Sequence, residues 1–452
     1  MFSDTHLVTR LRRVGSDLGA QLATSASLPL QAYLPTLVPS GPARRSIAFA
    51  LLVEALARHL HDLGEPHADD WCDALARHPM IQQADHSALL LDQETLLNNV
   101  LYAEAARLSG VRRVITVQCS AVSCITRRGP FRGPPFLHAR GGQFNIFGKS
   151  IRTYARANFC ALDGPVTSSF RPMAGAAAAP SGDCLLAEFI DRPWPSALEG
   201  VRQMNKTLWR AMGGEKLADL LLLDDRLSNE LIALHVERMD SPIHRLLFDR
   251  RARETFLGIK RLRVRSPSNV AAIRAEPDFF WFRSEQRLLP AQMGDNGSLS
   301  DGVAGRSEYR LDDVEVSPRV IAKALRCGRL IPDRIFIYFA RCLLPGVRAI
   351  GGTSQQDHLV LYRELLGQCD QELDLLDEAE RANLADTALS RLGGAPLIEP
   401  TLSMAETLAH LGRDVDWIGL LASVMPRPLV DTVGRLQCAS YLERAIMRMH
   451  AD

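Results

Sequence analysis

Residues 80–121 read "MIQQADHSALLLDQETLLNNVLYAEAARLSGVRRVITVQCSA", and the reading of this run decides the fold. Gln82, Gln83, Asp85 and His86 crowd two amides, a carboxylate and an imidazole into five positions. From Ser87 to Gly110 apolar residues recur at helical spacing, and Gly110 stands where a helix-terminating glycine belongs. Residues 112–121 then form a β-branched run, the mark of a buried strand. Loop, helix, short turn and strand, in that order, build an open α/β sheet. The expectation is an α/β fold, with a Rossmann-like open parallel sheet core, helical insertions and a helical C-terminal region. In such a fold ligands sit beyond the carboxyl ends of the strands.

Working outward, the same letters return at residues 351–362, "GGTSQQDHLVLY", after the short apolar run "RAI". Residues 44–64 have helical periodicity and end on Gly64, and "PHADDWCDALARH" opens a second helix with Asp69 or Asp70 as cap. Residues 197–265 read as helical, with "RLRVR" at 261–265 as a solvated edge strand at its end. "SPRVIAKALRCGRL" is a helix with Ser317 as N-cap and Pro318 at its first position. "DRIFIYFARCLLPG" is a buried apolar segment, and the chain is read as helical beyond residue 366. Residues 127–150, 173–183 and 293–305 are Gly-, Pro- or Ser-rich connectors. The expected division is 1–172, an N-terminal α/β segment of the core; 183–270, a helical insertion; 271–366, a second α/β segment completing the core; and 367–452, a helical C-terminal region.

Composition excludes several classes. With 53 basic and 52 acidic residues the net charge is +1, so no basic field argues for nucleic acid. Nine cysteines carry no C-x-x-C pair and no zinc spacing, which reads as reduced thiols in a cytoplasmic protein. Cys119, Ser120, Ser123 and Cys124 follow the predicted strand, where active-site loops sit in such folds; a nucleophilic Cys or Ser there needs an adjacent base, and the two thiols are read as structural. The run "IAFALLVEALA" is too short to span a bilayer, and the N-terminus lacks a signal-peptide core. No metal ligand set is expected.

Two clusters carry the chemistry. Gln82 and Gln83 can read an amide or a base edge, and an Asp85–His86 pair can hold an imidazole for proton transfer. Simple helix capping by Asp85 accounts for the same letters. Gly351 and Gly352 opening a helix are the ingredients of a phosphate- or carboxylate-binding turn, with Gln355, Asp357 and His358 on its first turns. A Gly-Gly turn with Thr353 or Ser354 as N-cap explains the glycines equally well. Lys149, in "GGQFNIFGKS", is a point charge that can meet a phosphate.

Taken together, "MIQQADHSALLLDQETLLNNVLYAEAA", "RRVITVQCS" and "LRCGRLIPDRIFIYFARCLLPGVRAIGGTSQQDHLVLYRELL" resemble the cysteine ligases of bacillithiol biosynthesis. That family has a Gln-Gln turn before a long helix and strand, and later an "LLP" stretch and a Gly-Gly-Pro turn. Here the Gly-x-Phe that follows the family's Gln pair is replaced by Asp85-His86, its acidic strand end by residues 120–123, and its Gly-Gly-Pro by Gly351-Gly352-Thr353. The resemblance implies an ATP-dependent ligase that forms an amide bond between an amino acid or acyl-amino acid and an amine, in specialised metabolism. It implies ATP and Mg²⁺ as cofactors and small-molecule amino-acid substrates, with no nucleic acid or membrane partner and room for a homodimer. His86, Asp85 and His358 are the expected catalytic groups; Gln82, Gln83, Lys149, Gly351, Gly352, Thr353, Gln355 and Asp357 are the expected substrate- or nucleotide-binding groups. A nucleotidyl- or other group-transferase, or a non-catalytic binding protein, is the alternative.

Overall fold

A computed structural model describes residues 9, 17–83, 89–119, 135–139, 142–150, 164–173, 185–265, 277–284, 287–294, 299–300, 317–398 and 414–433. Its centre is a sheet of five strands: β1 (Met80–Gln83), β2 (Arg113–Cys119), β3 (Asp219–Asp224), β4 (Arg348–Gly351) and β5 (Ser390–Leu392). Their order across the sheet is β5-β4-β1-β2-β3, and every neighbouring pair is parallel. This is the 3-2-1-4-5 arrangement of a doubly wound α/β fold. The chain moves outward from β1 through β2 to β3, then returns to lay β4 against the other side of β1. The order therefore reverses between β1 and β4.

Parallel strands are covered on both faces, so they read as continuous apolar runs rather than alternating ones. "RVITVQC" in β2 and "DLLLLD" in β3 show it. On one face, Met80 and Ile350 pack with helix α2 (Gln93–Leu108) in one buried cluster. On the other, Ile81 and Ala349 pack with α1 (Ile47–Asp62), α3 (Arg226–Glu237) and α4 (Thr353–Leu373). Because β1 leads to α2 on one face and β4 leads to α4 on the other, the two connections diverge above the sheet.

Several expectations are corrected. Gln82 and Gln83 belong to strand β1, not to a loop, because their neighbours Met80 and Ile81 are buried between two layers. Helix α2 begins at Gln93, not Ser87, with Asp92 as N-cap accepting from the Thr95 N–H at 3.2 Å. Gly110 ends it at φ +72°, with Val111 N–H returning to the Ala106 carbonyl at 2.8 Å, as a Schellman motif requires. Residues 197–265 are not all helical: "DLLLLD" is the edge strand β3, whose leucine run has no period to separate helix from buried strand. Residues 261–265 end a helix, Arg250–Arg265, and form no strand. Beyond residue 366, Ser390–Leu392 adds strand β5 to a region read as helical. The helix Pro318–Arg326 does start at Ser317, whose hydroxyl accepts from the Val320 N–H at 3.4 Å.

One buried ion pair fixes the segment that lies over the sheet. Lys260, 4% exposed, donates to Asp333 Oδ2 at 2.5 Å and to the carbonyls of Pro277 and Asp278 at 2.7 and 2.8 Å. Asp333 is fully buried and also accepts from the Phe336 N–H at 2.8 Å, so it N-caps the helix Arg334–Tyr338. That helix continues as a π-turn over Phe339–Leu343. No helix among the described residues is long and apolar enough to cross a membrane.

Candidate functional site at the switch point

In an open α/β sheet the reversal of strand order leaves a crevice at the carboxyl ends of the two central strands, where ligands bind. Here those ends are Gln82-Gln83 and Gly351-Gly352. The register places Gln82 beside Ile350 and hence Gln83 beside Gly351. The two Gln-rich clusters, 270 residues apart in the chain, are thus brought together by adjacent strands.

Successive strand side chains point to opposite faces, so the two glutamines do different work. Gln83 lies on the α3–α4 face. Its Oε1 accepts from Nη2 of Arg341, and its Nε2 lies 3.4 Å from Cys342 Sγ. Arg341 is 1% exposed, contacts Ser228 Oγ at 3.4 Å, and sits 5.8 Å from the Tyr338 ring. It stands on the π-turn, whose extra residue per turn re-aims a side chain that an α-helix would place elsewhere. A buried guanidinium next to the crevice is a preformed positive charge in a poorly screened setting.

Gln82 lies on the α2 face, beside Thr116 of β2. A hydrogen-bonded chain runs above it: Asp92 accepts from Thr95 Oγ1 at 3.2 Å, Asn99 donates to the Thr95 carbonyl at 2.9 Å, and Thr116 donates to Asn99 Oδ1 at 3.2 Å. Gln82 does not join this chain. At 3% exposure, neither its Oε1 nor its Nε2 has a hydrogen-bond partner among the described residues. A buried amide without partners costs roughly 1–3 kcal/mol, so such a group marks a place where something else supplies the bonds.

Gln355 repeats the situation from the other side. It is 7% exposed, and its Nε2 has no partner among the described residues. Its carboxamide lies over Gly351 so closely that a Cβ built there would fall 1.9 Å from Gln355 Oε1. The need for glycine at 351 is therefore close approach. Gly352 has open space around it and is the N-cap of α4 at φ −75°, offering no side chain to the first helical N–H groups. The alternative in which Thr353 or Ser354 is the N-cap does not hold. An N-terminus capped this way favours an anion.

His358 lies one turn along α4 from Gln355. Its ring stacks on Tyr362 at 5.9 Å, and Arg334 Nη1 donates toward its Nε2 at 3.4 Å. Asp85 and His86 lie outside the described residues. So do the side chains of Thr353 and Asp357, which belong to α4 by backbone alone. Lys149 lies in the loop that follows the strand Gly142–Asn145, part of a separate antiparallel sheet with Phe136–Ala139 and Arg171–Pro172, and its carbonyl accepts from Asn145 Nδ2 at 2.6 Å. No contact among the described residues joins it to the switch point.

Two features at the carboxyl edge escape the sequence reading. Arg341 is one; its signal was a single arginine inside the apolar run "YFARCLL". The other ends β3, where buried Asp224 lies 3.9 Å from His59 Nε2. Burial pushes the Asp224 carboxyl up, but hydrogen bonds and charge from Arg226 more than offset this and hold it below its ordinary value. Burial lowers the His59 pKa more than Asp224 raises it, so the imidazole is neutral near pH 7. Among the described residues no group of three His, Cys, Asp or Glu side chains could hold a metal ion. Comparison with protein-family models, curated proteins and solved structures finds no match.

Proposed function

We propose that this protein is an ATP-dependent carbon–nitrogen ligase that joins an amino acid or acyl-amino acid to an amine, its site at the β1–β4 switch point. The observation that carries the reading is the meeting of Gln82 and Gln83 with Gly351, Gly352 and Gln355 at that point, beside buried Arg341. The donors present suit an anionic, amide-bearing ligand: two buried glutamines with unmet amide groups, a helix N-terminus and a guanidinium. The resemblance of the same stretches to the bacillithiol cysteine ligases adds the reaction class.

In this reading Gly352 and the first turn of α4, with Gln355, hold the phosphates of ATP, and Mg²⁺ comes with them, held largely by phosphate and water. ATP supplies the activation that turns a carboxylate oxygen into a leaving group. Gln82 orients the amino-acid substrate through its unmet amide. Arg341, held by Gln83, offsets negative charge that develops on the carboxyl oxygen. The C–N bond forms as the C–O bond breaks; the oxygen leaves with the phosphoryl group, and the amine proton passes to His86 or Asp85. His358 orders Arg334 at the mouth of α4.

Release of phosphate and pyrophosphate, followed with ATP across panels of amino acids and amines, tests this. Amide product in step with nucleotide consumption is the expected result. Pyrophosphate release without an amide assigns the scaffold to group transfer instead. No turnover with any pair, together with no ATP binding by calorimetry, overturns both and leaves a binding protein.

A further inference from the structure

A second cationic site lies away from the switch point, on the outer flank of α4. There a cavity of about 420 Å³ opens between α4, edge strand β5 and the helix Asp17–Ser25. Its floor is apolar, built from Leu343, Leu359 and Leu389, all buried. Its walls carry Arg363 of α4 and Arg391 of β5, together with the hydroxyls of Thr24 and Thr36.

Charge here is unbalanced. Among the described residues Arg363 and Arg391 make no ion pair or hydrogen bond, and no carboxylate lines the cavity. A third arginine stands next to them. Arg348 spends its Nη1 on the carbonyls of Thr36 and Leu37, at 2.8 and 3.1 Å, which closes one wall. Burial first, and then the charge of Arg391, bring its pKa down to about 10, with Asp386 opposing. Tyr33, which lines the same cavity, donates to the Leu392 carbonyl at 2.8 Å and is pushed above the ordinary tyrosine range by its burial. It is therefore a neutral wall group, not a counter-charge. Two guanidiniums facing one space without a carboxylate repel each other, at a cost that an anion between them removes.

We propose that this cavity binds a small organic anion, an apolar body ending in a phosphoryl or carboxylate group, with Arg363 and Arg391 gripping the head. Guanidiniums suit this head because their fork of N–H donors matches two oxygens at once. The leucine floor takes the body; the hydroxyl protons of Thr24 and Thr36 go to the Ala20 and Tyr33 carbonyls at 2.9 and 2.6 Å, which leaves the guanidiniums as the donors to the head. The site shares α4 with the switch point but no residue with it, so it does not depend on the ligase reading.

Calorimetric titration with n-butyl phosphate, inorganic phosphate and citrate tests the proposal on the full chain. The proposal expects binding that weakens with salt, with n-butyl phosphate tighter than inorganic phosphate. It expects Arg363→Gln and Arg391→Gln each to lose tenfold or more, with melting temperatures in anion-free buffer equal to or above that of the unmodified chain. Gln82→Leu keeps the affinity. Tight binding of citrate alone assigns the head to carboxylate; tight binding of n-butyl phosphate alone assigns it to phosphoryl. Absence of binding by all three, equal binding by the Arg363→Gln/Arg391→Gln double variant, or loss of binding in Gln82→Leu overturns it.

Discussion

Two buried polar regions of this protein sit on either side of the same π-turned segment, and they are built by opposite rules. At its start, Lys260 and Asp333 are both nearly inaccessible, and each has its partners: two carbonyls, one backbone N–H and each other. At its far end lies the switch point, where Gln82 and Gln355 are just as buried and keep amide groups without partners among the described residues. Burial of polar groups is costly in both places. In the first the fold offsets that cost within itself. In the second the described residues leave it unmet, and in the proposed function a ligand meets it. On the proposed reading, satisfied polarity serves stability, and unsatisfied polarity at the switch point serves binding.

The largest effect expected from breaking this contrast is on the satisfied side. Lys260→Met strands the Asp333 carboxylate in the core and should lower unfolding free energy by about 3–5 kcal/mol, read by urea denaturation. A Lys260→Met/Asp333→Leu double variant should recover most of that loss, because no uncompensated charge remains.

Next comes Gly351→Ala. The added methyl meets the Gln355 carboxamide, a flexible group that can swing away, so stability should fall by about 1–3 kcal/mol. ATP affinity should fall at least tenfold in the same variant, since Gln355 is driven from its place. Unchanged affinity would show that Gln355 does not touch the ligand.

A smaller effect sharpens the satisfied side by pH. Burial raises the Glu380 carboxyl from 4.5 to about 7, helped by the charges of Asp377, Asp370 and Asp240 and opposed by its bond to the Asp377 N–H. Between pH 4.5 and 7 the folded state holds a proton that the unfolded state has lost, so stability falls as pH rises through that window. The slope is at most about 1.4 kcal/mol per pH unit. Glu380→Gln keeps the capping box with Asp377 and should flatten the slope without changing ligand affinity.

Much of this was legible in the sequence, for reasons that lie in particular residues. The β-branched run 113–119, the glycine at 110 and the Gly-Gly turn at 351–352 have local causes, so α/β organisation could be read from them. Strand β3 was not legible, because "DLLLLD" between two helices carries no period. Strand β5 was hidden for another reason: it is three residues long, and only its pairing with β4 defines it. At the site, the two glutamine clusters could be seen but not their meeting, which depends on the crossover that lays β4 beside β1. Arg341 was invisible as a site residue because its direction depends on the π-turn.

The central claim is that the unmet amides at the switch point await a ligand. Gln82→Leu tests it most directly, with ATP titration and thermal unfolding run on one preparation. A ligand role predicts a melting temperature equal to or above that of the unmodified chain, with affinity for ATP or for the amino-acid substrate reduced tenfold or more. A fall in melting temperature with affinity for both left intact would contradict it, and would place Gln82 among the groups that only hold the fold together.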